Sequence, residues 1–370
     1  MDDLHAVKAD VVLTNGQGIG DMATRMLMYG GDVGAFRPYV EGFEMDAYGR
    51  VQNPGQAFIT RNSGPGQYRT EQVARNDATL LYDEWKAIDR TLDGVVETYR
   101  ARLSAWNDLL TMTRPYQTPN GIGTMQLLTQ TTTDPGSATI SMSGDVPEEN
   151  ARRTNSQTIL PIPLIYSGFQ LDVRELQASR AGTKALDLDQ LEQCARRVLE
   201  AQDAMTIGTT TFTGPGGTIQ GYTSFTSRAT GSITAPTGNF GPVLINDLNA
   251  MRQTLIGKKM YGPYMIYFGV GWDQYLDQDY STLKGEGTVM ERILKLRDVK
   301  GAKMLPTLSG TQVIMVQMDS GLVRPVIGQQ PVVVQWQTNG GMTLHYRVVA
   351  CSAPQLRVDG AGNSSIVHYS

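Results

Sequence analysis

An extended apolar run broken by two prolines, then a long amphipathic repeat, then a glycine-rich turn leave the stretch Leu160–Phe225 few ways to fold. Ile159 to Val173 is extended in character. Pro161 and Pro163 have no amide to donate and mark this run as an edge strand rather than a central one. A short Arg174–Ser179 segment and a break at Gly182 follow. Asp187 or Asp189 then caps a helix over 187–207, in which Leu188, Leu191, Ala195, Val198, Leu199, Gln202 and Met205 recur at spacings of three and four. That spacing lays one stripe along about 30 Å of helix. Gly208 ends it, Gly214–Gly217 turn the chain, and Ile219 to Phe225 returns to extended structure. The expectation is one edge strand, one long helix and a hairpin on a shared core, a pattern that by itself names no function.

Upstream, glycine and proline punctuate residues 1–75 (GQGIG, YGGDVGAF, NPGQAF, NSGPGQY), as in an extended arm with short pieces of structure. Gly16-Gln-Gly18-Ile-Gly20 after an apolar run imitates a dinucleotide loop, but Asp21 stands where the third glycine belongs and would repel a pyrophosphate. Residues 76–112 predict the clearest helix, through Leu81, Trp85, Ile88, Leu92, Val95, Tyr99, Leu103, Trp106 and Leu110. Residues 113–160 contain little that could build a core. Met125–Thr133 and Ala138–Ser143 flank Asp134-Pro-Gly-Ser137, a hairpin signal, and two strands with so little apolar surface are marginal alone in water. They need another surface, either their own domain or a neighbouring subunit. Residues 235–345 read as a compact α/β unit: a helix over Asn246–Ile256, a buried strand over Tyr261–Phe268, short helices at Trp272–Tyr280 and Val289–Leu296, and strands at Thr311–Gln317 and Val332–Gln337. Met342 to Val358 is a further strand, and the closing GAGNSSIVHYS is short and polar.

The chain has 370 residues, enough for two or three compact units, and a formal charge of −4, which gives no basic excess for gripping nucleic acid. Cys194 and Cys351 have neither a CxxC spacing nor a histidine cluster near them, as for reduced, buried thiols. His5, His345 and His368 lack metal-ligand spacing, so no metal site and no cofactor is expected. No nucleophile elbow, phosphate loop or catalytic set occurs; the acidic pair Asp277 and Asp279 reads as exposed helix-end carboxylates. Trp85, Trp106, Trp272 and Trp336 read as core or interface anchors, since no basic stripe interleaves them. No catalytic residue is expected, and a soluble α+β enzyme is the least supported reading. No run reaches the ~18 apolar residues of a membrane span, and a chain made and kept in a reducing cytoplasm, or leaving it only by lysis, is expected.

The order of the segments carries more than any one of them. LPIPLIYSGFQLDVREL, a glycine-bearing break, DLDQLEQCARRVLEAQDAMTIGT, GTIQGYTSF and the later GPYMIYFGVGWDQYL together resemble the encapsulin shell proteins. Through them the chain resembles the tailed-phage major capsid proteins of the Hong Kong-97 fold. The resemblance implies an α+β fold with an N-terminal arm (1–75), an N-terminal helix (76–112) and an extended loop (113–160) laid across the adjacent subunit. It further implies a peripheral domain (161–234 and 343–370) built on the spine helix 187–207, and an axial domain (235–342). Implied inter-subunit residues are Met125, Leu127, Leu128, Ile140 and Met142 of the extended loop, with Lys284 and Glu286 in the glycine-rich Thr282–Val289 loop near the symmetry axes. The implied function is an icosahedral shell around viral double-stranded DNA, assembled in the host cytoplasm and resident in the virion. Its partners would be many copies of the chain as pentamers and hexamers, a portal, and scaffold or decoration proteins, with the DNA contacted weakly and no membrane. The alternative is an encapsulin-type compartment around a protein cargo. Some shells of this fold are welded by a loop lysine, but no lysine occurs between Lys86 and Lys184, so non-covalent shells are expected.

Overall fold

The computed structural model describes residues 39–45, 51–64, 67–73, 80–103, 105–119, 121–132, 140, 142, 155–180, 188–236, 240–280, 287–338 and 342–370. The GxGxG run at 16–20, Lys284 and Glu286 lie outside them. In chain order the elements are β1 (Tyr39–Met45), β2 (Val51–Gly64), β3 (Gln67–Val73), α1 (Tyr82–Leu103), α2 (Ala105–Met112), β4 (Tyr116–Gln117), β5 (Gln126–Thr132), β6 (Asn155–Pro161) and β7 (Leu164–Asp172). They continue with α3 (Val173–Arg180), α4 (Asp189–Ile207), β8 (Thr213–Gly214), β9 (Gly217–Thr218), β10 (Ala229–Gly231), α5 (Phe240–Gly257), β11 (Tyr264–Phe268) and α6 (Asp273–Leu276). Last come α7 (Val289–Leu294), β12 (Val299–Met304), β13 (Val313–Gln317), β14 (Val323–Thr338), β15 (Thr343–Leu356) and β16 (Ile366–Tyr369).

Two cores organise these elements. In one, α1 and α4 cover the inner face of a four-stranded sheet ordered β4-β14-β15-β7. The α4 stripe Leu191, Ala195, Val198 and Leu199 meets Trp85, Ile88, Leu92 and Val96 of α1 and Val333, Leu344, Tyr346 and Val348 of the sheet. Each such side chain contributes about 1.5–3 kcal/mol when taken from water, so this stripe decides where the helix sits. Neither aspartate caps α4 as expected. Asp187 lies outside the described residues, Leu188 occupies the cap position without a side-chain bond, and Asp189 is the first helical residue. At the other end Gly208 adopts φ 97°, and its amide bonds to Ala204 O, a left-handed stop that a side chain would strain. The start of α1 is fixed differently: the Glu84 carboxylate accepts the Leu81 amide at 2.8 Å and also takes the Arg180 guanidinium of α3 at 2.7–2.8 Å.

The second core surrounds a five-stranded sheet ordered β10-β16-β13-β11-β12, flanked by α2, α5, α6 and α7. Strands β11 and β13 are buried at every position and pair antiparallel from Tyr264↔Gln317 to Phe268↔Val313, which suits a strand covered on both faces.

The pairing corrects the sequence reading in several places. Residues 39–73 are not only arm, since β1, β2 and β3 form an antiparallel meander and Tyr39 and Val40 lean on Phe58 and Ala57. Its β-branched and aromatic positions outweigh the glycine and proline signals, which mark the Gly55 kink and the β2–β3 turn. Strand β5 pairs not with 138–143 but with β6, from Gln126↔Pro161 to Thr132↔Asn155. The expected second hairpin strand falls mostly outside the described residues. Pro161 and Pro163 therefore mark the break between two strands, of which β7 is one edge of the four-stranded sheet, paired with β15 from Thr343↔Asp172 to Cys351↔Leu164. Ile219 to Phe225 forms turns rather than a strand, because its amides cap the end of α4: Tyr222 N bonds Thr206 O and Thr223 N bonds Ile207 O. The polar tail is not a loose end, since β16 lies between β10 and β13 with Ile366 and Val367 buried. Strand β14, expected within the axial unit, belongs instead to the sheet under α4.

Candidate assembly surfaces

The β5–β6 ribbon is rooted in its own subunit and bare further out. At the root, Ile162 N bonds Met125 O at 2.9 Å, and Leu127 and Leu160 pack on Ile162, Val326 and Cys351. Gln355, 3% exposed, donates to Thr129 Oγ1 at 2.6 Å and accepts from Arg324 Nε at 2.6 Å. Arg324 stacks over the Tyr116 ring at 4.8 Å, and burial with the Arg357 charge nearby lowers its pKa. Arg357 donates to Gln130 O at 3.1 Å, and Gln126 to Pro215 O at 2.8 Å. These bonds set the direction in which the ribbon leaves the body.

Beyond the root the apolar side chains have nothing to sit on. Met125 is 72% exposed, Leu128 55%, Ile140 98% and Met142 109%. Of the five loop residues picked from sequence, Leu127 alone turns inward, because it shares the inner face of the ribbon with Thr129. The other four are exposed, Ile140 and Met142 almost wholly so.

Between the two cores lies a polar junction. Asp108 of α2, 3% exposed, takes the Lys303 ammonium from β12 on one carboxylate oxygen and the Tyr267 hydroxyl from β11 on the other, at 3.1 Å. Burial pushes its carboxyl above the ordinary range, with Lys303 and Tyr267 pulling it back. Asp203 of α4 accepts the Trp106 amide at 3.1 Å and the Thr307 hydroxyl at 3.4 Å, and so caps α2 from a distance. Tyr222 stacks on Tyr267 with ring centroids 5.9 Å apart, and burial drives both phenols far above their usual pKa. The cluster is buried except on the Lys303 side and serves to tie α2 and α4 to the five-stranded sheet. Nothing local in the sequence marks it, since its members come from five separate segments. Among the described residues no group of three or more His, Cys, Asp or Glu side chains could hold a metal ion, and no helix is long and apolar enough to cross a membrane.

Comparison with curated proteins finds no match. Among solved structures, the chain superposes on the virus-like particle from Pyrococcus furiosus with TM-score 0.56 and 15% identity, covering 78% of this chain and 100% of that one. It superposes on the capsid of Myoviridae phage XM1 with TM-score 0.52 and 9% identity, covering 72% and 92%. The capsid of an empty GTA particle gives TM-score 0.52 and 10% identity, over 72% and 91%. At such identities the likeness is one of fold, and the fold is the α+β Hong Kong-97 type. Residues 75–369 match the model of a family of unknown function, DUF6260, and the chain, matched over most of its length, belongs to that family.

Proposed function

We propose that this chain is the subunit of an icosahedral shell, a major capsid protein whose copies enclose double-stranded DNA. The observation that carries the proposal is the ribbon: a root fixed by hydrogen bonds and apolar packing, and an outer part whose Leu128 is half exposed and whose Ile140 and Met142 are almost wholly exposed. A monomer gains nothing from holding such side chains in solvent, whereas a neighbouring subunit would cover them. In this reading 1–75 is the arm, 76–112 the N-terminal helix, 113–160 the extended loop, and α4 the spine of the peripheral domain. The unit around β11 and β13 is the axial domain, with the 282–289 loop, Lys284 and Glu286 included, near the five- and six-fold axes. Pentamers and hexamers of the chain, a portal, and scaffold or decoration proteins are the partners, in a virion assembled in the host cytoplasm. A net charge of −4 suits a wall along which DNA slides and to which it does not bind tightly. The reading assigns the chain a structural role with no catalysis, and shells held without covalent links.

A second reading, a compartment around a protein cargo, draws support from the full coverage of the Pyrococcus furiosus particle subunit. Electron microscopy of the expressed protein, with the nucleic acid and protein content of purified particles measured, separates the two. Replacing residues 133–154 with a short Gly-Ser linker should leave the melting transition nearly unchanged, since loop-length changes cost only about 0.6 kcal/mol per doubling. The same change should abolish particles, and normal particles from that variant would refute the proposal.

A further inference from the structure

The outer face of the four-stranded sheet, opposite the face that α1 and α4 cover, carries a group whose binding capacity is unused. Arg347 of β15 lies between two rings, its guanidinium carbon 4.6 Å from the Tyr166 centroid on β7 and 4.7 Å from that of Trp336 on β14. The register brings this about: Arg347 pairs with Gly168 on one side and Val334 on the other, so the rings in the adjacent rows lean over it. Trp336 is braced in turn by His345, stacked at 5.1 Å with planes 6° apart. The rings occupy the guanidinium faces and leave its edge, which carries the N–H donors. Among the described residues the Arg347 side chain has no hydrogen bond and no ion pair. A planar cation held between two rings, half-buried and with its N–H edge left by the stacking, suits a carboxylate approaching edge-on. Its surroundings are apolar and exposed, with Tyr166 at 59% and Leu164 at 48%. The fitting ligand is therefore an acidic segment that also carries apolar side chains.

The chain contains such a segment. From 133 to 150 there are four acids, Asp134, Asp145, Glu148 and Glu149, and no lysine or arginine, and Ile140 and Met142 within it are almost wholly exposed. Two complementary patches at different places on one chain make a head-to-tail contact, the kind that closes into rings. We propose that the Tyr166–Arg347–Trp336 platform receives the acidic 133–150 loop of a second copy, Arg347 pairing with a loop carboxylate and the Tyr166 and Leu164 side chains covering Ile140 and Met142. This rests on the shell reading and names the receiving surface of its loop contact.

The test mixes two single variants, Met142→Cys on one chain and Tyr166→Cys on an affinity-tagged chain, and treats the co-assembled material with a short bismaleimide. Cys194 and Cys351 are buried and free, and burial raises the Cys351 thiol to about 11, so the native thiols stay silent. A covalent pair containing one tagged and one untagged chain is expected, and neither variant alone should give it. Arg347→Glu should raise the concentration needed for assembly at least about tenfold, and Glu148→Lys with Glu149→Lys in the same chain should restore part of that loss. Particles that form normally without the mixed cross-link, or an Arg347→Glu chain that assembles like the parent, would overturn the platform and leave the shell reading standing. Failure of the parent chain to form any assembly would remove both.

Discussion

Replacing Lys303 by methionine should be among the most costly single changes between the two cores. Asp108 is 3% exposed, and in the variant its carboxylate keeps only the Tyr267 hydroxyl as partner. Breaking a buried ion pair from one side costs about 3–5 kcal/mol, because a charge remains in a place that cannot solvate it. The Lys303 side chain is 27% exposed, so its ammonium is partly hydrated already, and the loss should be nearer about 2–3 kcal/mol. The dependence on pH follows from the sign of the Asp108 shift. Burial holds this carboxyl above its ordinary value of 3.8, and losing Lys303 raises it further. The folded variant thus takes up a proton before the unfolded chain does. Its deficit against the parent should be full at pH 7 and shrink as pH falls through the folded pKa of Asp108 toward 3.8. Urea unfolding followed by circular dichroism at pH 7 and at a mildly acidic pH measures both quantities. The double change Asp108→Asn with Lys303→Gln removes the charges and keeps hydrogen-bonding atoms, and should recover stability to within about 1 kcal/mol of the parent. A loss below about 0.5 kcal/mol at pH 7, or a double variant as weak as the single one, would refute this account of the junction.

Other outcomes follow from the same geometry. Leu199→Asp places a carboxylate at a position 3% exposed in the α4 core and should cost several kcal/mol, enough to abolish the melting transition of the subunit. Gly221→Ala should destabilise by about 2 kcal/mol or more in chemical denaturation, because a Cβ there would overlap the backbone of Gly208 and Met205. His368 bonds Gln312 at 3.0 Å, and burial together with Arg228 lowers its pKa below 6.5. The unfolded chain protonates first as pH falls below 6.5, so the His368 contribution is present above that value and lost beneath it. His368→Gln should flatten the melting profile between pH 6.5 and 5, and an unchanged profile would show that the imidazole does not titrate there.

Helix α4 and strand β11 were legible in the sequence because their information is local. A stripe at spacings of three and four, closed by Gly208, and a run of five buried residues behind a Gly-Pro pair need no knowledge of the rest of the chain. The β5 partner was not, since the nearer 138–143 run imitates a hairpin strand while the true partner at 155–161 is polar along most of its length. Strand β16 escaped for a related reason: Ile-Val-His-Tyr is too short to announce itself, and only its place between two other strands makes it one. Of the candidate surface, the exposure of Met125, Leu128, Ile140 and Met142 was readable from their isolation amid polar sequence, and the inward turn of Leu127 was not. The Arg347 platform and the Asp108 junction were not, because register and packing bring together residues that share no sequence neighbourhood.

The position of β16 bears on how the subunit is made. Its sheet runs β10-β16-β13-β11-β12, so a strand inside the sheet is synthesised after all four of its companions. Until Ile366–Tyr369 emerges, β13 has an open edge and β10 has no strand to pair with. Nascent chains therefore hold an unpaired backbone edge beside a mostly formed core, a state prone to pair with its like on a crowded polysome. Late closure also couples synthesis to folding, because a chain terminated before Ile366 cannot finish this sheet. Such a product would be a ready target for degradation, so the order of synthesis itself would help remove faulty copies.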